Sequence, residues 1–127
     1  MMVLPKIELR ELSVKAEAYG LTLGDLIPIC ERFGVAPHDV LNELFIAVAK
    51  AYLQGYLLYD FCDGVMNGII TAVVEVGMTN DMPQPAFSLC QAFDQGEWFR
   101  SNDPPETDPN DKYTKPAVEE IMRTLRG

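Results

Sequence analysis

Histidine is almost missing from this chain: among 127 residues there is only His38. A Cys–His or Ser–His nucleophile pair needs a base held within hydrogen-bonding reach of the nucleophile. A single histidine with no flanking signature offers little to build one from. Cysteine is scarce as well. Cys30, Cys62 and Cys90 are odd in number and sit in apolar, helix-like contexts, which predicts buried free thiols in a reducing compartment. No pair of cysteines or histidines has zinc-ligand spacing. The oxygen donors Asp103, Asp108, Asn110 and Asp111 lack the alternate spacing and central glycine of a calcium loop. There is no phosphate-cradling glycine loop either, because Gly64 and Gly68 fall inside a helical pattern. No metal and no other cofactor is expected.

Positive charge is the largest shortage. Ten lysines and arginines face nineteen acids, for a formal charge of −9. Residues 51–99 contain no lysine or arginine, yet hold Asp60, Asp63, Glu75, Asp81, Asp94 and Glu97. Binding to nucleic acid needs cations against phosphate, and an anionic membrane surface needs them against lipid headgroups. Neither partner is expected. An acidic surface suits a basic protein, a cation, or plain solubility. The N-terminus lacks a basic-then-apolar leader, so no signal peptide is expected. The most apolar window, about 61–76, is interrupted by Asp63, Asn67 and Glu75. It reads as too short and too polar to span a bilayer. The expectation is a cytoplasmic protein with a single helical domain over 1–127.

What is present is helical periodicity. The fold class predicted is all-α, a compact bundle of five or six helices around a central antiparallel hairpin, about 39–54 and 58–77. In the first arm Val40, Leu44, Ala47, Val48 and Ala51 recur at three- and four-residue spacing. In the second, Phe61, Cys62, Val65, Met66, Ile69, Ile70, Val73 and Val76 do the same. Two ladders of small residues, Ala47–Ala51–Gly55 and Gly64–Gly68–Ala72, each lie on one face. They suggest close approach between the two arms.

Flanking segments follow the same logic. Residues 5–19 carry both a helical and an alternating pattern, and helix is preferred because a lone strand would have no partner. A short helix over 25–33 takes Asp25 as N-cap, placing Pro28 in its first turn. Residues 86–95 and 115–126 read as two more helices, the second with Val118, Ile121, Met122 and Leu125 on one face and Arg123 and Arg126 at its C-terminal end. Between them, 96–114 is a long polar loop, a kind that in compact domains is functional or disordered.

The corner 25–44 resembles a helix-turn-helix in shape. A base-reading helix carries Arg, Lys, Asn or Gln at its N-terminal end. This one offers His38, Asp39, Asn42 and Glu43, so an ordinary helical corner is the better reading. Two groups of residues are candidate sites. The first is the polar stripe Asp60, Asp63, Asn67, Thr71 and Glu75 on the second hairpin arm, which is either a solvated face or a stripe for a partner or cation. The second is Asp94, Glu97, Trp98, Phe99, Asp103, Glu106 and Asp108, where the only tryptophan stands among acids. Aromatic anchors ringed by charge resemble interaction hot spots, although Trp98 and Phe99 could instead plug one end of the core. The function expected is protein–protein interaction by a small acidic helical protein, acting as a regulator, adaptor or immunity-type neutraliser of a basic partner. A homodimer is a further possibility. The alternative is a small-molecule or metal-dependent enzyme using helix carboxylates.

Overall fold

The computed structural model describes residues 3–126, apart from the side chain of Arg126. Six α-helices follow in order: α1 (Lys6–Tyr19), α2 (Leu23–Phe33), α3 (Pro37–Leu53), α4 (Tyr59–Thr79), α5 (Ala86–Asp94) and α6 (Lys115–Arg126). A π-helical turn, Asn110–Thr114, leads directly into α6. No strand occurs among the described residues. The α3–α4 hairpin is central: α4 packs against α1, α2, α3 and α5, while α3 also touches α6.

The helix ends explain where each helix begins. Thr22 is the N-cap of α2: its Oγ1 accepts from the Asp25 backbone N–H at 3.2 Å, and Asp25 Oδ2 accepts from the Thr22 N–H at 2.9 Å. This reciprocal pair satisfies two orphan donors of the first turn. The expectation that Asp25 is the N-cap is therefore corrected, and Pro28 lies beyond the first turn of α2. Asp39 accepts from the Ala36 N–H at 3.1 Å and closes the start of α3. Gly34 ends α2 in the left-handed conformation (φ 67°) that glycine tolerates best.

The core is continuous through the bundle. Phe45, Leu41 and Leu44 of α3, Val65, Ile69 and Val73 of α4, and Leu89 and Phe93 of α5 are all fully buried. Burying a side chain of this size contributes about 1.5–3 kcal/mol. In α6, Val118 is fully buried and Ile121 and Met122 pack against the core, but Leu125 is exposed. The expected apolar face thus stops one turn early. Arg123 pairs with Glu120, and the expectation for the Arg126 side chain lies outside the described residues. All three cysteines are buried and free.

Close approach occurs on α4, but with a different partner from the one expected. The Leu21 N–H donates to the Gly68 carbonyl at 2.8 Å, pinning the end of α1 to the middle of α4. A Cβ at Gly68 would lie 2.8 Å from the carbonyl carbon of Ala16. Gly64 faces Glu17, also on α1. Gly55 has φ 81° in the hairpin turn with nothing near it, so it serves the turn and not a helix contact. The small-residue face of α4 therefore receives α1.

The expectation that the apolar window 61–76 is too short and too polar to span a bilayer is corrected by α4, whose 21 residues are long and apolar enough to cross a membrane by length and composition. Here Cys62, Val65, Met66, Ile69, Ala72, Val73 and Val76 are buried among the other helices.

Candidate functional site

Tyr59 starts the site. Its hydroxyl donates to the Phe93 carbonyl at 2.5 Å, tying the first turn of α4 to the end of α5. The Tyr59 and Phe93 rings stack at 5.9 Å, and Tyr52 meets Phe93 edge-on at 5.1 Å. Desolvation on burial pushes the Tyr52 hydroxyl up to about 12, and raises that of Tyr59 further. Both rings are fixtures that place the start of α4 beside the α5–α6 connection.

That connection leaves α5 through the buried Gly96. A Cβ there would meet the Thr114 hydroxyl, and would lie 3.0 Å from both Asn110 Cα and Tyr59 Cε1. Thr114 is fully buried and donates to the Ala92 carbonyl at 2.7 Å, fastening the π turn to α5. The two ends of the connection are thus held side by side against α4.

Between them lies a cleft of about 410 Å³, walled by Tyr59, Asp60, Asp63 and Asn67 of α4 and by Glu97, Phe99 and Asp108 of the connection. Members of both candidate groups meet here. The cleft also includes Gly96, Pro109 and Asn110, which sequence reasoning did not place in a site. A helix spacing of three and four puts Asp60, Asp63 and Asn67 on one face, but nothing in the sequence says which loop comes to that face.

Asp63 is the focus of the cleft. The Asn67 amide donates to Glu97 Oε2 at 2.9 Å and makes a long 3.4 Å approach to Asp63 Oδ2. Asp63 Oδ1 is buried and has no hydrogen-bond partner. Burial, then the carboxyl–carboxylate hydrogen bond and charge of Glu97, then Asp94 and Asp60, push the Asp63 carboxyl up to about 7. Burial, then Glu97, also raises Asp94.

Other predicted residues lie outside this cleft. Asp94 borders an apolar groove of about 210 Å³ between α4 and α5, with Met66, Ile70, Phe87 and Cys90. Asn67 lines both, so the groove and the cleft adjoin. Asp103 is used inside the connection: it pairs with Lys112 and accepts from the Tyr113 hydroxyl at 2.6 Å, which holds its carboxyl below the usual range. Glu106 is exposed and lines neither cavity. Glu75 is twelve residues past Asp63 on α4, about 18 Å along the axis at 1.5 Å per residue.

Trp98 and Phe99 do not plug the core; they are 51% and 75% exposed. Arg100, the first cation after the 51–99 gap, is sandwiched between Trp98 and Tyr113, its guanidinium 3.8 and 3.5 Å from the ring centroids. It also donates to the Gln95 carbonyl at 2.8 Å. Its charge is turned into its own loop, and no cationic residue lines the cleft among the described residues.

On the 25–44 corner, Glu43 is buried and accepts from the Val3 and Leu4 N–H groups at 2.7 and 2.9 Å. Asn42 accepts from the Ala86 N–H at 3.1 Å. Both side chains are committed to the fold. Among the described residues no group of three or more His, Cys, Asp or Glu is placed to hold a metal ion.

Set against known proteins, the chain matches no family model, no curated sequence and no solved structure.

Proposed function

We propose that this is a binding protein whose acidic cleft receives a basic side chain of a protein partner, in the manner of a regulator, adaptor or immunity-type neutraliser. One observation carries the reading: Asp60, Asp63, Glu97 and Asp108 converge from two elements on a cleft with no cation in its lining among the described residues. A guanidinium or ammonium would relieve their mutual repulsion and give the buried Asp63 oxygen a donor. The adjoining apolar groove and the exposed Phe99 would take an apolar neighbour of that side chain. The reading has the protein acting in the cytoplasm, away from membranes and nucleic acids, whose phosphates the acidic charge would repel.

The test is affinity capture with the wild-type chain and with an Asp63→Asn/Glu97→Gln/Asp108→Asn variant. Basic proteins retained by the first and lost by the second support the proposal. Capture that is unaffected by the variant, or that recovers only acidic proteins, refutes it. Homodimerisation is a separate proposal, tested by solution mass.

A second reading, an enzyme using helix carboxylates, is favoured by the Asp63 carboxyl, which holds its proton to about pH 7 as a general acid would. Turnover of a small-molecule substrate, abolished by Asp63→Asn, would select it over the binding reading.

A further inference from the structure

We propose that the outward face of α4 is a docking strip for an amphipathic basic helix of a partner protein. The strip takes the cationic half of that helix at the start of α4 and its apolar half at the end. The inference rests on the partner reading above and names the segment that the partner presents. Asp60, Asp63, Asn67, Ile70, Val74 and Met78 all keep contact with solvent and recur three and four apart along α4. That spacing sets them in one row on one side of the helix. The row changes character along its length. Its first half, Asp60 to Asn67, is polar and lines the acidic cleft. Its second half is apolar, and folding leaves it uncovered: Val74 is 42% and Met78 79% exposed. From Asp60 to Met78 the row runs about 27 Å at 1.5 Å per residue.

The neighbouring elements match the row. Glu97 and Asp108 of the connection join its acidic half. Phe87, Cys90 and Gln91 of α5 join Met66 and Ile70 in the groove at its middle. Asn67 belongs to both cavities, so the strip is continuous. Charge decides the occupant. Residues 51–99 hold no lysine or arginine, and Glu75 and Asp81 are exposed beside the apolar half. A second copy docked through the same face would set acids against acids, and an anionic lipid surface would be repelled. A segment with cations at one end and apolar residues at the other neutralises the first half and covers the second. An extended segment would need a sheet edge, and no strand occurs among the described residues. Side chains at helical spacing instead receive the ridge of another helix, and a helix of about 18 residues spans the strip.

The probe is a synthetic helix-forming peptide of about 18 residues. One half carries lysines and arginines, and the other carries leucines at three- and four-residue spacing. A control peptide of the same composition has its leucines scrambled off the common face. Calorimetric titration of the full chain should show the ordered peptide binding, with a gain of helix by circular dichroism. The scrambled peptide should bind about tenfold more weakly. Val74→Gln/Met78→Gln changes two exposed positions and no charge, so thermal unfolding should match the wild type. It should weaken the ordered peptide about tenfold, as should Asp63→Asn/Glu97→Gln/Asp108→Asn. Weakening by the cleft variant alone overturns the strip and leaves the acidic cleft as a cation site. Weakening by Val74→Gln/Met78→Gln alone refutes the cleft reading, and the cationic half of the strip with it. Equal binding of the two peptides, or binding without a gain of helix, overturns the helical partner. No binding of the ordered peptide overturns the whole proposal. A dimer in solution that Val74→Gln/Met78→Gln dissolves would give this face to a second copy and overturn the basic partner.

Discussion

Replacing Gly68 with alanine tests the packing of α4 directly. The new Cβ would lie 2.8 Å from the Ala16 carbonyl carbon and 3.4 Å from Gly20 Cα. Both neighbours are backbone, so neither can swing away as a side chain would. The end of α1 must therefore move off α4, and the 2.8 Å Leu21–Gly68 hydrogen bond is stretched or lost. Overpacking of this kind costs about 1–3 kcal/mol, and the lost hydrogen bond about 1 kcal/mol more. Against this, alanine gains about 1 kcal/mol of helix propensity over glycine. The net expectation is a loss of about 2 kcal/mol. For a domain of this size that is a fall in Tm of roughly 6–10 °C.

Gly64→Ala is the control. It lies one turn away on the same face, but its Cβ would meet only the flexible Glu17 side chain, 3.0 Å from Cγ. It should be neutral, or stabilising by up to about 1 kcal/mol. Thermal and urea unfolding measure both variants, and hydrogen exchange at the Leu21 amide reports the contact itself. If Gly68→Ala is as stable as Gly64→Ala, with Leu21 still protected, the packing argument is wrong.

Other outcomes follow from the same structure. Because folding raises the Asp63 pKa to about 7, the folded chain binds more protons than the unfolded one between about pH 4 and pH 7, and stability falls as pH rises across that window. Asp63→Asn should match the wild type near pH 5 and exceed it at pH 8. Solvent reaching the half-exposed carboxyl screens the effect to about 1 kcal/mol, read as Tm against pH. Glu43→Ala removes the acceptor for the Val3 and Leu4 N–H groups and should cost about 1.5–3 kcal/mol by urea unfolding. Thr22→Ala, which deletes the α2 cap, should cost about 1 kcal/mol. Burial pushes the Cys62 and Cys90 thiols up to about 12. A thiol reagent at pH 8 should therefore leave them unmodified in the native chain and label both once urea unfolds it.

The helices were readable because their apolar residues recur at the period of the α-helix, and tertiary packing agreed with local preference along α3 and α4. Helix starts were harder. Thr22 and Asp25 are both good caps, and only the reciprocal hydrogen bonds decide which is N-cap and which is N3. The small face of α4 was visible in Gly64 and Gly68, but a sequence shows that a face is small and not which helix arrives there. Glu43 shows the opposite limit: an acid on an apolar helix looks solvated until the chain start, forty residues away, covers it. The cleft was split for the same reason. Its α4 wall and its loop wall were each found, and their meeting depends on Gly96, Thr114 and Tyr59 holding the connection in place.

A double-mutant cycle at pH 8 tests most directly whether those walls form one charged cleft. Asp63→Asn and Glu97→Gln are measured singly and together by urea unfolding. If the carboxylates face each other, each single change relieves the same repulsion, and the double variant gains less than the sum of the two by about 0.5 kcal/mol or more. Strict additivity would mean that Asp63 and Glu97 do not interact, and that the cleft does not exist in the form described.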